Sequence, residues 1–197
     1  MATLFVDKVD PQSGTSLELG SSGDTITIPS GATITNNGTQ TGFGGTNTPA
    51  FSVYKSGNFE LSDATETKYA FDSESYDTDN AFDNSSNHRF TVPSGKAGKY
   101  FFYMRARYNK GSVSEYHMTI KKNGNDAARR YIASGGASTD IFNSIDFLSW
   151  DVSCTLDLNV GDYVEGYVYF RRFAGATTAT MGGGSRENEF TGYKIIE

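Results

Sequence analysis

Apolar and polar residues alternate along most of the chain, in two different styles. Before residue 49 the alternation comes in short pieces. Leu17-Glu18-Leu19, Ile26-Thr27-Ile28 and Ala32-Thr33-Ile34 each place apolar side chains two apart, the spacing of a very short strand. Gly20, Gly23, Pro29, Gly31 and Gly38 punctuate them. Beyond residue 50 the runs lengthen. Strands are predicted over Phe51–Tyr54, Thr67–Phe71, His88–Val92, Lys99–Tyr108, Glu115–Lys122, Ala127–Ala133, Ile145–Leu158, Tyr163–Arg172 and Phe190–Ile196. Turn residues such as Pro93-Ser94-Gly95 and Asn123-Gly124 separate them. No stretch carries a helical period, so the longer part reads as an antiparallel all-β, two-sheet sandwich.

The faces of the longest strands add a second expectation. Tyr100, Phe102, Met104, Ala106 and Tyr108 share one face of their strand, and Lys99, Phe101, Tyr103, Arg105 and Arg107 share the other. A sheet with one wet face has no use for large rings on it. Phe101, Tyr103, Tyr163, Tyr167 and Tyr169 are therefore predicted to lie at a subunit interface. The arginines beside them, Arg105, Arg107, Arg129, Arg130, Arg171 and Arg172, fit inter-subunit pairing better than solvated surface or capture of acidic sugars.

Composition divides the chain at the same place as the patterning. Ser, Thr, Gly and Asn supply 77 of 197 residues, and Phe plus Tyr supply 26 against only 7 Leu. Just two aromatic residues, Phe5 and Phe43, precede Ala50. The run from Gly42 to Pro49 reads as a linker. Residues 1–48 are accordingly expected to form a leader and residues 49–197 a folded knob. The leader's small polar side chains leave it little to bury alone. It is expected to order on assembly with its own copies or on a host surface, the alternative being a disordered leader.

Charge removes several functions. Net charge is −6 with 20% charged residues, which disfavours a phosphate-backbone partner, so no nucleic acid is expected. No apolar run is long enough to insert in a membrane, and Met1–Lys8 does not read as a secretory signal. Cys154 lies in an alternating run and reads as a buried structural thiol.

Four blocks of the knob resemble the complement C1q-like / tumour-necrosis-factor-like jelly roll. They are Phe90-Thr91-Val92-Pro93 with Gly98-Lys99-Tyr100-Phe101-Phe102; Ile120-Lys121-Lys122-Asn123-Gly124; Leu156 and Leu158 followed by Gly161-Asp162-Tyr163-Val164; and Phe190-Thr191-Gly192-Tyr193-Lys194-Ile195. The resemblance implies a jelly-roll sandwich that assembles as a homotrimer and acts in binding and assembly rather than catalysis. The sequence departs from it upstream, where no Gly-X-Y stalk occurs. Instead, residues Leu17 to Thr35 resemble leader and shaft segments of virion fibre and decoration proteins of tailed bacteriophages.

Candidate chemistry is sparse. Asp72, Glu74, Asp77, Asp79 and Asp83 crowd one loop, and Asp77, Asp79 and Asp83 form a calcium candidate set, secondary to a solvated acidic loop. Glu115, Asp151 and Glu165 occur singly, without the paired arrangement a glycosidase needs. His88 and His117 sit outside ligand-spaced clusters and read as strand residues. Gly182-Gly183-Gly184-Ser185-Arg186 reads as a loop. The sequence thus predicts a non-enzymatic virion protein without cofactor, assembled in the host cytoplasm and displayed on the virion surface. Its expected partners are itself, a phage capsid or tail protein through the leader, and a host-surface glycan or protein. Leu4, Phe5 and Val6, a bulky apolar triplet, are the expected anchor. A capsid decoration or head fibre is favoured over a tail-fibre tip or receptor-binding protein, and both over a capsule-degrading depolymerase.

Overall fold

A computed structural model describes residues 6–38, 47–109, 113–133, 147–172, 179–184 and 187–195. The chain divides into two units, Met1–Phe43 and Gly44–Glu197.

The described part of the first unit contains no strand. The three predicted strand pieces run as irregular chain, and Leu17, Leu19, Ile26, Ile28 and Ile34 are 46–63% exposed. Turns mark the punctuation instead: the Asp24 amide donates to Ser21 O at 2.9 Å, and the Ala32 amide to Pro29 O at 3.1 Å. A strand forms only when another strand satisfies its backbone, and pieces of three residues separated by Gly and Pro gain too little from one another to pair.

The described residues of the second unit form thirteen strands: β1 (Ala50–Tyr54), β2 (Phe59–Leu61), β3 (Thr67–Lys68), β4 (Ser73–Asp77), β5 (Phe82–Asp83), β6 (Arg89–Thr91), β7 (Gly98–Asn109), β8 (Val113–Lys122), β9 (Asn125–Ala133), β10 (Phe147–Leu158), β11 (Tyr163–Arg172), β12 (Ala179–Met181) and β13 (Glu189–Lys194). Every pairing is antiparallel. One sheet runs β10-β7-β13-β1-β4, with β12 and β2 continuing the β13 side of β7. The other runs β9-β8-β11-β6-β5, with β3 also on β11. Among the described residues there is no helix.

The alternation of the long strands decides which rings meet inside. Phe51, Phe102 and Phe190 from the first sheet and Phe82 and Phe90 from the second are at most 5% exposed and form one aromatic nucleus. Phe51 sits at its centre, 5.1–6.3 Å from the other four ring centroids. Packing this dense needs gaps elsewhere. A Cβ at Gly192 would lie 2.7 Å from the Phe102 ring and 2.8 Å from the Phe51 ring. A Cβ at Gly166 would lie 2.7 Å from Met104 Sδ. Both glycines occupy inward positions where any side chain would displace the nucleus.

Candidate assembly face

The sheet carrying β7 presents an outer face built in rungs. Cross-strand register places Thr155, Phe101, Tyr193 and Ala50 side by side, then Ser153, Tyr103, Thr191, Ser52 and Tyr76, then Asp151, Arg105, Glu189 and Tyr54. The centre is aromatic, with the Phe101 and Tyr193 rings 5.5 Å apart. Small hydroxyl residues flank it, and two of them are tied within the sheet: Thr191 donates to Phe51 O at 2.8 Å and Ser52 to Glu189 Oε1 at 2.9 Å. The result is a flat surface with rings in the middle, the composition of a protein interface core. Charges gather at one end. Arg105 pairs with Glu189 at 3.3 Å, and Arg107 pairs with Glu187 while lying 4.9 Å from the Phe147 ring. Burial, followed by the Asp151 charge, pushes the Tyr103 phenol up from its usual range, which keeps it a neutral donor.

A second apolar surface lies along the side of the sandwich. β9 and β10 are the free edges of the two sheets and approach one another there. Their inward residues Ala128, Ile132, Leu148, Cys154 and Leu156 pack on the core but stay half-buried. Cys154 is thus a half-buried free thiol. Burial pushes it up to about 11, so it is protonated and unreactive at neutral pH.

The five aromatic residues predicted for one interface fall on two opposite faces. Phe101 and Tyr103 belong to the rungs above. Tyr163, Tyr167 and Tyr169 project from β11, on the outside of the other sheet, and the chain covers them itself. Arg89 lies 4.2 Å over Tyr163, Lys121 4.5 Å over Tyr167, and His117 stacks 4.1 Å from Tyr169. With these contacts the three rings are half-buried, as Phe101 and Tyr103 are. Sequence could not distinguish these cases, because both strands alternate alike and the cations come from β6 and β8. Tyr193 and Tyr76 were not singled out, although inward Phe190 and Gly192 imply outward Tyr193.

Other candidates are also placed. Val6 is exposed, at 53%; Leu4 and Phe5 lie outside the described residues. Glu165, expected as an outward solvated carboxylate, is buried against Lys68 and accepts from the Tyr167 hydroxyl at 3.3 Å. Glu115 faces His117 Nε2 at 3.1 Å, and Asp151 stands on the opposite sheet. His88, expected on a strand, has φ of 48° in the turn before β6, with Nδ1 3.0 Å from Phe71 O.

The acidic loop works as a set of turn staples. Asp77 accepts from the Phe82 amide at 2.7 Å, and Asp79 lies 3.5 Å from Lys96 Nζ. Asp83 accepts from the Ser86, Asn87 and Ser85 amides at 2.9–3.0 Å, which hold its carboxyl far below the usual range. Asp77 and Asp83 therefore serve the backbone, Asp79 accepts from the Thr78 hydroxyl at 2.7 Å beside Lys96, and no group of three metal-ligating side chains converges among the described residues.

No family model matches the chain, and no curated protein matches its sequence. Solved structures do. The tumour necrosis factor Eiger of S. frugiperda superposes with a TM-score of 0.52 at 13% identity, covering 74% of this chain and 91% of that one. Murine APRIL gives 0.52 at 10% identity, with 74% and 98% covered. The fold is a tumour-necrosis-factor-like jelly roll. The globular domain of the zebrafish complement 1qA protein has a TM-score of 0.45 at 19% identity, covering 75% of this chain and 97% of its own. In this jelly roll the aromatic rungs occupy the outside of the β10-β7-β13-β1-β4 sheet, and the half-buried seam runs along its β10 edge.

Proposed function

We propose that the chain is a non-enzymatic structural protein of a bacteriophage virion, a homotrimer mounted by its leader as a capsid decoration or head fibre. The jelly roll is its exposed knob, presented in many copies to host-surface glycan or protein so that weak contacts sum. The observation that carries the reading is the aromatic outer face of β7 and β13. A soluble knob gains nothing from Phe101, Tyr103 and Tyr193 in water, and a second copy removes them from it.

The shape of the surfaces favours a ring. A two-fold dimer would join like patches, face to face or seam to seam, and leave the other exposed. Seating the β9/β10 seam of one copy on the β7/β13 face of the next buries both, and such a head-to-tail contact repeats until it closes. Three copies close it in this reading. The leader supports the same assembly: Leu17, Leu19, Ile26, Ile28 and Ile34 find strand partners only in neighbouring leaders. Glu115, Asp151 and Glu165, scattered over two faces, support a non-catalytic role.

Phe101→Asp tests the assembly. It is expected to give a folded monomer, with far-ultraviolet circular dichroism unchanged and the solution mass reduced to one chain. An unchanged assembly mass would reject the face. Imaging of labelled particles tests the mounting: label on the head, lost on deletion of residues 1–12, is the expected result.

A further inference from the structure

Asn-Gly, the dipeptide in which a side-chain amide is attacked most readily by its own backbone, occurs twice in the chain, at Asn37-Gly38 and Asn123-Gly124. The two are held very differently. Asn123 occupies a tight hairpin turn with φ of 50°. Its Nδ2 donates to Asp162 Oδ1 at 2.7 Å, and its Oδ1 accepts from the Tyr163 amide at 2.9 Å. Its own amide donates to Tyr163 O at 3.0 Å. Cyclisation there must break both side-chain bonds and rotate the carboxamide toward Gly124. The Asn123 bond itself, with the Asn159 amide and Lys122, pushes the Asp162 carboxyl down to about 2, so the lock is in place at any ordinary pH.

Asn37 has no such lock. It is exposed, and no hydrogen bond holds its side chain among the described residues. The following nitrogen, that of Gly38, makes one exposed hydrogen bond, donating to Asn36 Oδ1 at 2.9 Å, and only this bond must open before it attacks. Apart from its two chain neighbours, the Asn36 side-chain oxygen, at 3.6 Å, is the only atom of the described residues within 4 Å of where a Gly38 Cβ would sit, so the surroundings of Gly38 are open.

We propose that Asn37 is a spontaneous modification site, deamidating through a succinimide, while Asn123 is kept intact by its hairpin. The Gly38 nitrogen forms a bond to the Asn37 side-chain carbonyl carbon, and the carboxamide nitrogen leaves with the displaced proton as ammonia. Water then opens either imide bond, leaving aspartate or isoaspartate. No redox partner or enzyme is needed. The leader gains one negative charge, and isoaspartate also adds a methylene to its backbone between the Ala32–Ile34 piece and the knob. The joint between leader and knob therefore ages chemically.

The test is peptide mapping by mass spectrometry of the full chain during incubation at mildly alkaline pH. The Asn37 peptide is expected to convert to mixed aspartate and isoaspartate more than about tenfold faster than the Asn123 peptide, whose two side-chain hydrogen bonds must break first. In denaturant the rates should converge, and Asp162→Ala should speed Asn123 in the folded chain. An Asn37 peptide that remains amidated, or equal rates at both sites in the folded chain, would overturn the proposal.

Discussion

Single positions carry much of this fold because its aromatic nucleus tolerates no rearrangement. Gly192 lies between the Phe102 and Phe51 rings, so Gly192→Ala is expected to cost about 1–3 kcal/mol through overpacking. A denaturant titration reads this directly, and an unshifted midpoint would show that the rings yield. Asp162 offers a test of a different kind. Its carboxyl is pushed down to about 2 in the folded protein, first by the Asn123 side chain, then by the Asn159 amide and Lys122. A depressed folded value means that the stabilisation is complete above the unfolded carboxyl range and is lost as acid protonates the group. Wild type should therefore lose stability between about pH 4 and about pH 2. Asp162→Asn should show a shallower loss over that interval. Equal slopes would remove Asp162 from the account.

Strands longer than about nine residues were legible from alternation alone. The predicted Tyr163–Arg172 is β11 to the residue, and Lys99–Tyr108 is β7 short by one residue at each end. The short strands β2, β4, β5 and β12 escaped notice. β2 and β12 are held by each other across a long sequence gap, as Met181 is by Phe59, β5 is only two residues long, and β4 reads Ser-Glu-Ser-Tyr-Asp with no apolar period. Tyr69 and Phe71 belong to the predicted Thr67–Phe71 strand but lie beyond the end of β3. The Tyr69 amide still donates to Gly166 O of β11 at 2.9 Å, while both rings are buried in the core and meet at 4.6 Å. The outward rings of β7 and β11 were both legible, whereas the contacts of the β11 rings depend on Arg89 and Lys121, whose positions only the folded sheet reveals. Those contacts predict a dissociation of effects. Tyr167→Ala removes the ring under Lys121 and should cost about 1–2 kcal/mol of stability, leaving the assembly mass unchanged in light scattering. A loss of assembly would return β11 to the interface.

At the scale of the molecule, two surpluses remain after the jelly roll has folded. The leader has apolar pairs without strand partners, and the knob has an aromatic face and an apolar seam on different sides. A single chain resolves neither. In the homotrimer we propose, the seam of one copy seats on the face of the next and neighbouring leaders supply the missing strands. The sequence patterning indicated this surplus, but only the sheet order shows that the knob's share sits on one face and one edge. The most direct measurement is the solution mass of the full-length protein by light scattering coupled to size exclusion, taken across a dilution series. The account predicts three times the chain mass of 21.4 kDa, constant on dilution. A mass of one chain at every concentration would contradict it.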